Sequence, residues 1–195
     1  MFTLTETQTF AQEVRKSRFL AVAGPVASET EAKAFIAQHA DPRATHNCWA
    51  WRIGQDYRFH DDGEPGGTAG KPILLAIDGH ALDTTAVLVT RWFGGILLGS
   101  GGLMRAYGGT AAKCLDAATK IPIVVTVEAR ISCTFRDLPL VKARLLALAD
   151  VRILGETFGA TGAELTVAMP EAEARAIARM VTDLTSGQAV VRLPD

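Results

Sequence analysis

The sequence lacks the charge excess that marks many nucleic-acid-binding proteins. Its 195 residues carry a net charge of −1. Basic and acidic side chains balance along the chain, with 12 of each in residues 1–120 and 8 against 9 in the remainder. A strong, sequence-independent DNA-binding protein normally has a basic excess, so we expect no strong DNA binding. Contact with nucleic acid would require a local basic patch.

The sequence also lacks paired cysteines and long apolar runs. Its three cysteines, Cys48, Cys114 and Cys133, are scattered and form no CxxC motif, which is typical of free thiols in a reducing compartment. No apolar run reaches the length of a membrane span, and the amino terminus lacks the pattern of a signal peptide. We therefore expect a soluble cytoplasmic protein without membrane contact.

Glycine is abundant in one stretch, from Asp61 to Gly109, which holds twelve of the eighteen glycines. Glycines this dense indicate tight turns or close approaches of the backbone. Charged residues alternate with them, and the stretch is neither periodic nor of low complexity. We interpret it as loops that connect helices and a central strand and face a common surface.

Apolar periodicity predicts two domains of mixed secondary structure, at residues 1–120 and 121–195. In the first, the pattern predicts strands over 2–10, 19–26, 46–53, 57–60 and 86–90, and helices over 28–41, 67–77 and 101–118. Ser28 and Glu31 have the spacing of a capping box at the start of the first helix. From Ile123 to Phe135 the apolar residues alternate strictly, which predicts a strand with one solvated face. The order of elements after Lys120 is βαββαβ, the ferredoxin-like arrangement.

Several motifs resemble those of the YigZ/IMPACT family. They are KSRFLA at Lys16–Ala21, HNCWAW at 46–51, GKPILLAI from Gly70, LVTRWFGG from Leu88 and LGSGGLMRAYGG from Leu98. The resemblance covers about residues 10–118, and more loosely the rest, where bacterial members carry a second small domain. Ile96-Leu97 departs from it, because many relatives have a threonine and a lysine there.

The resemblance implies an α+β fold of two two-layer α/β sandwich domains. The first would be an IMPACT N-terminal domain like ribosomal protein S5 domain 2, which also resembles domain IV of the translocase elongation factor. The second would be ferredoxin-like and resemble domain V of that factor.

The run from Gly66 to Lys71 invites comparison with a phosphate-binding loop. Pro72 follows Lys71 and removes both the hydroxyl and an N–H that a nucleotide loop requires, so that interpretation fails. A weaker one remains: Gly66, Gly67 and Gly70 expose N–H groups before a helix, and Lys71 adds positive charge. The alternative is that these glycines only allow the loop to turn.

Two arginines extend this predicted anion-binding surface. Arg91 ends the central strand, and Arg105 follows the glycine-rich helix start at Gly101 and Gly102. Arginine beside exposed backbone suits contact with phosphates and stacking on bases. The alternative is an internal ion pair with Asp61, Asp62 or Glu64, which is the more typical state of a buried arginine such as Arg91. We include three further residues as an extension of the surface: Lys16, Arg18 and Tyr107.

His46 and Cys48 lie two residues apart, so on a strand they face the same side. With the acidic residues 61, 62 and 64 they suggest a metal site or a thiolate–imidazole pair. The spacing matches no metal motif, and no third group orients the pair. We therefore predict no metal, no cofactor and no catalytic residue, with His46 satisfied and Cys48 inert in the core.

The resemblance favours a non-enzymatic factor linked to translation regulation that binds RNA, the ribosome or a translation protein. The family's eukaryotic branch, IMPACT, opposes activation of an initiation-factor kinase by engaging its activator. A hydrolase using His46, Cys48 and the acidic loop is one alternative, and a pure protein-interaction regulator is the other. An exposed basic surface at Lys71 and Arg105 would favour RNA. A pocket joining His46 to Asp61 and Asp62 would favour the hydrolase, and an apolar patch would favour the regulator.

Overall fold

The computed structural model describes residues 1–194 and divides the chain into two compact units, Met1–Ile123 and the segment from Val124 onward. Each unit contains helices and a β-sheet, which confirms the predicted α+β class. The division falls after Ile123 rather than after Lys120. A short strand that includes Lys120 pairs with the amino-terminal strand of the first unit, so the residues predicted as a boundary belong to that unit.

The first unit is built on a five-stranded sheet in which every neighbouring pair is antiparallel. Its strands are β2 (Gln8–Val14), β3 (Ser17–Pro25), β4 (His46–Ile53), β5 (Asp56–His60) and β6 (Thr85–Trp92), in the spatial order β2-β3-β6-β4-β5. Two short strands, β1 (Phe2–Leu4) and β7 (Lys120–Pro122), pair separately. The central strand β6 is therefore flanked by β3 and β4, and it ends beside the glycine-rich loops.

Residues 2–10, predicted as one edge strand, form β1 and the start of β2 instead. β2 continues to Val14 and turns tightly into β3 through Arg15 and Lys16, whose φ angles are 47° and 66°. Glycine or asparagine usually occupies such turn positions. Two basic residues there give no turn signal, which is why the sequence did not predict the hairpin.

Three helices cover the sheet of the first unit: α1 (Glu29–His39), α2 (Gly70–Gly79) and α3 (Ser100–Ala117). Helices α2 and α3 pack on one face around a core that includes Phe19, Ile73 and Leu115. Helix α1 packs on the opposite face against Trp51 and so adds a partial third layer. The predicted cap at Ser28 is confirmed, because its hydroxyl accepts from the Glu31 N–H at 3.2 Å. The reciprocal bond of the capping box is shifted by one residue, since the Glu31 carboxylate accepts from the N–H of Ala27 at 2.9 Å.

The second unit has the predicted βαββαβ order. Its elements are β8 (Thr126–Thr134), α4 (Leu138–Leu146), β9 (Arg152–Phe158), β10 (Gly162–Pro170), α5 (Ala174–Leu184) and β11 (Val190–Arg192). The antiparallel sheet has the order β11-β8-β10-β9. Its inward side chains meet both helices around Ile131, Leu145 and Val181. The alternation along β8 places one face in this core, as the sequence predicted.

Candidate functional site

The loop between β5 and α2 is held by the side chain of Asp61. The Asp61 carboxylate accepts hydrogen bonds from the N–H groups of Gly67, Ala69 and Gly70 at 2.8, 3.0 and 2.8 Å. Partial burial acts to raise the pKa of Asp61, but these backbone hydrogen bonds outweigh it and the pKa is lowered. The N–H groups of Gly67 and Gly70, predicted as part of an anion site with Gly66, therefore already serve an internal anion.

Arg91 is an internal ion-pair partner rather than a surface cation. It is 4% exposed, and its Nη1 lies 2.5 Å from Oε1 of the buried Glu64. The guanidinium also lies over the rings of Phe19 and Phe93. Tyr107, predicted as an extension of the anion-binding surface, donates its hydroxyl to the same Glu64 oxygen at 2.7 Å and is fully buried. Arg91 and Tyr107 thus neutralise and hold Glu64.

His46 lies beside this cluster with its ring orientation fixed. Its Nδ1 lies 2.7 Å from the carbonyl oxygen of Asp62. A carbonyl oxygen only accepts, so Nδ1 carries the proton and, in the neutral ring, Nε2 is an acceptor. Nε2 lies 3.8 Å from Glu64 Oε1, which is too long for a hydrogen bond.

Cys48 is a poor nucleophile. Its side chain is fully buried, its thiol donates to the Asp61 carbonyl at 2.9 Å, and burial raises the pKa of the thiol to about 12. A thiolate is the reactive form, so this environment suppresses nucleophilic chemistry. Within residues 1–194, no three His, Cys, Asp or Glu side chains are placed to hold a metal ion.

A cleft of about 420 Å³, here called the His46 cleft, opens between the ion-pair cluster and the start of α3. It is lined by two groups of residues. The polar group comprises Thr45, His46, Glu64, Arg91, Gly99 and Ser100, and the apolar group comprises Pro65, Phe93, Leu97, Leu98 and Leu103. Sequence reasoning identified the polar residues only in part and missed the apolar wall, because Phe93 and Leu97 join the cleft through a loop whose path the sequence does not specify.

A second depression, here called the basic groove, lies between β2 and α3 and measures about 440 Å³. Arg105 lines it, as do Arg15 and Lys113, which the sequence prediction did not include. The remaining lining residues are Gln12, Val14, Leu98, Gly102, Ala106 and Gly109. Arg105, Gly109 and Lys113 are four residues apart along α3, a spacing that could have identified Lys113 from the sequence.

The other predicted surface residues lie apart from this groove. Lys71 is exposed near the start of α2 and does not line the groove. Lys16 occupies the β2–β3 turn, and Arg18 stacks on Trp92 with its guanidinium 4.3 Å from the ring centre. Gly101 lies in the first turn of α3. The structure thus groups Arg105 and Gly102 and separates them from Lys71.

Glycine has a steric role at two positions of the glycine-rich stretch. A Cβ at Gly94 would lie 1.9 Å from the Lys16 carbonyl oxygen, and one at Gly70 would lie 2.7 Å from the backbone of His60. Any other residue would force the backbone apart at these points. At Gly70 and Gly94, glycine is therefore required for the close packing of the backbone.

The fold and these sites define a two-unit α+β protein whose first unit carries a ligand-sized cleft and a basic groove. Residues 15–115 match the family model described as the Impact N-terminal domain, and residues 131–188 match a domain of unknown function, DUF1949. The chain belongs to the IMPACT family.

Relatives of similar length support this assignment. An IMPACT family member in the pol 5' region of Thermus thermophilus is 44% identical over 178 residues, covering 90% of this chain and 97% of its own. IMPACT family member YigZ of Escherichia coli is 36% identical over 188 residues, covering 92% and 90%. The crystal structure of a hypothetical protein superposes with a TM-score of 0.72 at 32% identity and covers 100% of this chain.

The match to the eukaryotic branch is shorter. Protein IMPACT of Mus musculus is 34% identical over 95 residues, which span 44% of this chain and 29% of that protein. In residues 1–194, no helix combines the length and the apolar character needed to cross a bilayer.

Proposed function

We propose that this protein is a non-enzymatic, translation-associated factor that binds ribosomal RNA through the basic groove. The observation that carries the proposal is the charge of the groove: three cations line it, Arg15, Arg105 and Lys113, and no carboxylate does. The chain as a whole has a net charge of −1, so this local concentration of positive charge is not a reflection of composition.

The shape of the groove suits an extended polyanion. A Cβ at Gly109 would meet no atom from outside its own helix turn within 4 Å, so α3 leaves open space between the two cationic residues Arg105 and Lys113. Lys113 is oriented by Gln12, whose Oε1 accepts from its Nζ at 2.9 Å. A flexible single strand in the groove could therefore place phosphates near all three cations.

The family resemblance supplies the link to translation. The resemblance implies that both units are similar to domains of the translocase elongation factor, and that the eukaryotic branch opposes activation of an initiation-factor kinase. Fold and family alone do not determine function, so these points support the proposal by analogy. The groove supplies the physical reason to favour RNA.

The hydrolase alternative has weaker support. The His46 cleft is lined by His46 but by neither Asp61 nor Asp62, and the carboxylates of these two residues serve structural roles. Asp61 holds the start of α2, and the Asp62 carboxylate accepts from the N–H of Asn47 at 2.6 Å. With Cys48 buried, no activated nucleophile adjoins His46. A protein partner is the second candidate, favoured by the apolar Leu97, which is 82% exposed.

The test is a salt series of RNA binding, measured by fluorescence anisotropy with a single-stranded RNA and by co-sedimentation with ribosomes. Three phosphate contacts predict that log affinity falls with log salt with a slope of about −2. Arg105→Ala should flatten the slope by about 0.7, the contribution of one contact, and leave the folded state intact because Arg105 is exposed.

Lys71→Ala is the matched control, since Lys71 is also an exposed helical cation but lies outside the groove. It should leave the slope unchanged. If Lys71→Ala flattens the slope and Arg105→Ala does not, the RNA lies at the start of α2 and the groove is not its site. If neither RNA nor ribosomes bind at low salt, the RNA function is wrong and a protein partner becomes the leading candidate.

A further inference from the structure

The His46 cleft has two hydrogen-bond acceptors at one end. Glu64 uses Oε1 for both Arg91 and Tyr107, and Oε2 has no partner within residues 1–194. His46 uses Nδ1 for the Asp62 carbonyl, which in the neutral ring leaves Nε2 as an acceptor. Glu64 and His46 both line the cleft, and neither Oε2 nor Nε2 is among the fully buried, unpaired side-chain atoms of residues 1–194.

The opposite chemistry lies at the start of α3. Gly99, with a φ of 70°, precedes the helix, and no side chain caps the N–H groups of its first turn. Gly99 and Ser100 line the cleft, and α3 is 18 residues long, so its partial positive charge faces this space. Arg91 also lines the cleft, and its Nε is fully buried with no hydrogen-bond partner within residues 1–194.

The remaining wall is apolar and is formed by five side chains: Pro65, Phe93, Leu97, Leu98 and Leu103. Leu103 is buried, whereas Phe93 and Leu97 are exposed. An apolar group in the cleft would cover Phe93 and Leu97. Removing their apolar surface from water would lower the free energy of the complex. The cleft volume of about 420 Å³ is within the range of small-molecule sites.

We propose that the His46 cleft binds a small zwitterion with an apolar side chain, of the class of the apolar α-amino acids. The ligand ammonium donates to Glu64 Oε2 and His46 Nε2, its carboxylate accepts from the first turn of α3, and its side chain packs on Phe93 and Leu97.

Charge balance selects a zwitterion over a simple acid or amine. Arg91 and Glu64 neutralise one another, so the cleft has no net charge to compensate a singly charged ligand. An apolar carboxylate would leave the Glu64 acceptor unpaired beside it, and an apolar amine would leave the α3 donors unpaired. A zwitterion satisfies both ends at once.

The first experiment compares four probes by titration calorimetry on the full chain: leucine, leucinamide, 4-methylpentanoate and glycine. Leucinamide lacks the carboxylate, 4-methylpentanoate lacks the ammonium, and glycine lacks the side chain. Leucine should bind at least about tenfold more tightly than each of the other three, because each omits one interaction with the cleft.

Two variants assign the ends of the ligand. Ser100→Pro removes an N–H and the hydroxyl at the first position of α3, where proline is compatible with a helix, and Ser100→Ala is its control for loss of the hydroxyl alone. Ser100→Pro should weaken leucine about tenfold and leave leucinamide unchanged. Glu64→Gln should remove the preference for leucine over 4-methylpentanoate.

A third variant tests the apolar wall. Leu97→Ser should weaken leucine several-fold. Leu75→Ser, at an exposed leucine of α2 outside the cleft, is the matched control and should change nothing.

Two results would overturn the proposal. One is equal binding of leucine, leucinamide and 4-methylpentanoate, which would mean that neither charged end is recognised. The other is no binding of leucine to the unmodified protein up to about 10 mM, the weak end of measurable affinity. Both results come from the unaltered chain, so they hold even if a variant fails to fold. RNA binding is measured separately and does not enter either outcome.

Discussion

Replacement of Arg91 by methionine should severely destabilise the first unit. The guanidinium is buried. Within residues 1–194, it is the only cationic group that is hydrogen-bonded to Glu64. Methionine preserves much of the side-chain volume but leaves the Glu64 carboxylate with the Tyr107 hydroxyl alone. Breaking a buried pair by removing one partner costs about 3–5 kcal/mol, because an uncompensated charge remains in the core.

The size of this loss comes from the charge left behind rather than from the strength of the pair. The double variant Arg91→Met/Glu64→Leu removes both charges and should recover about 2 kcal/mol or more of the stability lost in Arg91→Met. Tyr107 then loses its acceptor, so recovery should be incomplete. The single variant should therefore be less stable than the double variant.

Urea unfolding followed by tryptophan fluorescence measures this cycle. All three tryptophans, Trp49, Trp51 and Trp92, lie in the first unit, so the signal reports that unit even if the second unfolds separately. If Arg91→Met changes the free energy of unfolding by less than about 1 kcal/mol, the pair is solvated and our description of it is wrong. The same result would return Arg91 to the list of ligand-binding candidates.

Three further predictions concern the loop at Asp61, the thiol and the junction between the units. Asp61→Ala should lower stability by about 2 kcal/mol, since three backbone N–H groups lose their acceptor. Because the pKa of Asp61 is lowered on folding, its contribution should be complete above about pH 4 and disappear as pH falls through the folded pKa, which acid titration of both proteins would show. Cys48 should react with iodoacetamide at neutral pH only on unfolding; rapid alkylation of the native protein would contradict its burial. Limited proteolysis with elastase should cut first near the exposed Val124 and Val125, and an earlier cut elsewhere would contradict independent units.

Most of the fold could be predicted because its elements have strong local patterns. The alternation along β8, the βαββαβ order and the Ser28 helix cap each depend on neighbouring residues, and the structure has all three. The β2–β3 turn and strand β7 could not be predicted. The first uses two basic residues at positive φ, and the second is three residues long and is defined by pairing with the distant β1.

The candidate sites were less predictable, because they depend on which residues a sheet brings together. Arg105 was identified from the sequence, but Arg15 joins it through a hairpin that the sequence did not reveal. Arg91 forms an internal ion pair because the fold brings it next to Glu64, which lies 27 residues away in the sequence. Periodicity contains no information about a contact of that kind.

The two glycine-rich helix starts show why composition alone could not locate the site. Both were predicted to present free N–H groups. At α2 the Asp61 carboxylate reaches Gly67 and Gly70, whereas at α3 no side chain caps the first turn after Gly99. What separates them is a carboxylate placed within reach by the preceding loop. A glycine-rich helix start is available to an external anion only where the fold supplies no acceptor of its own, and of these two starts only α3 meets that condition.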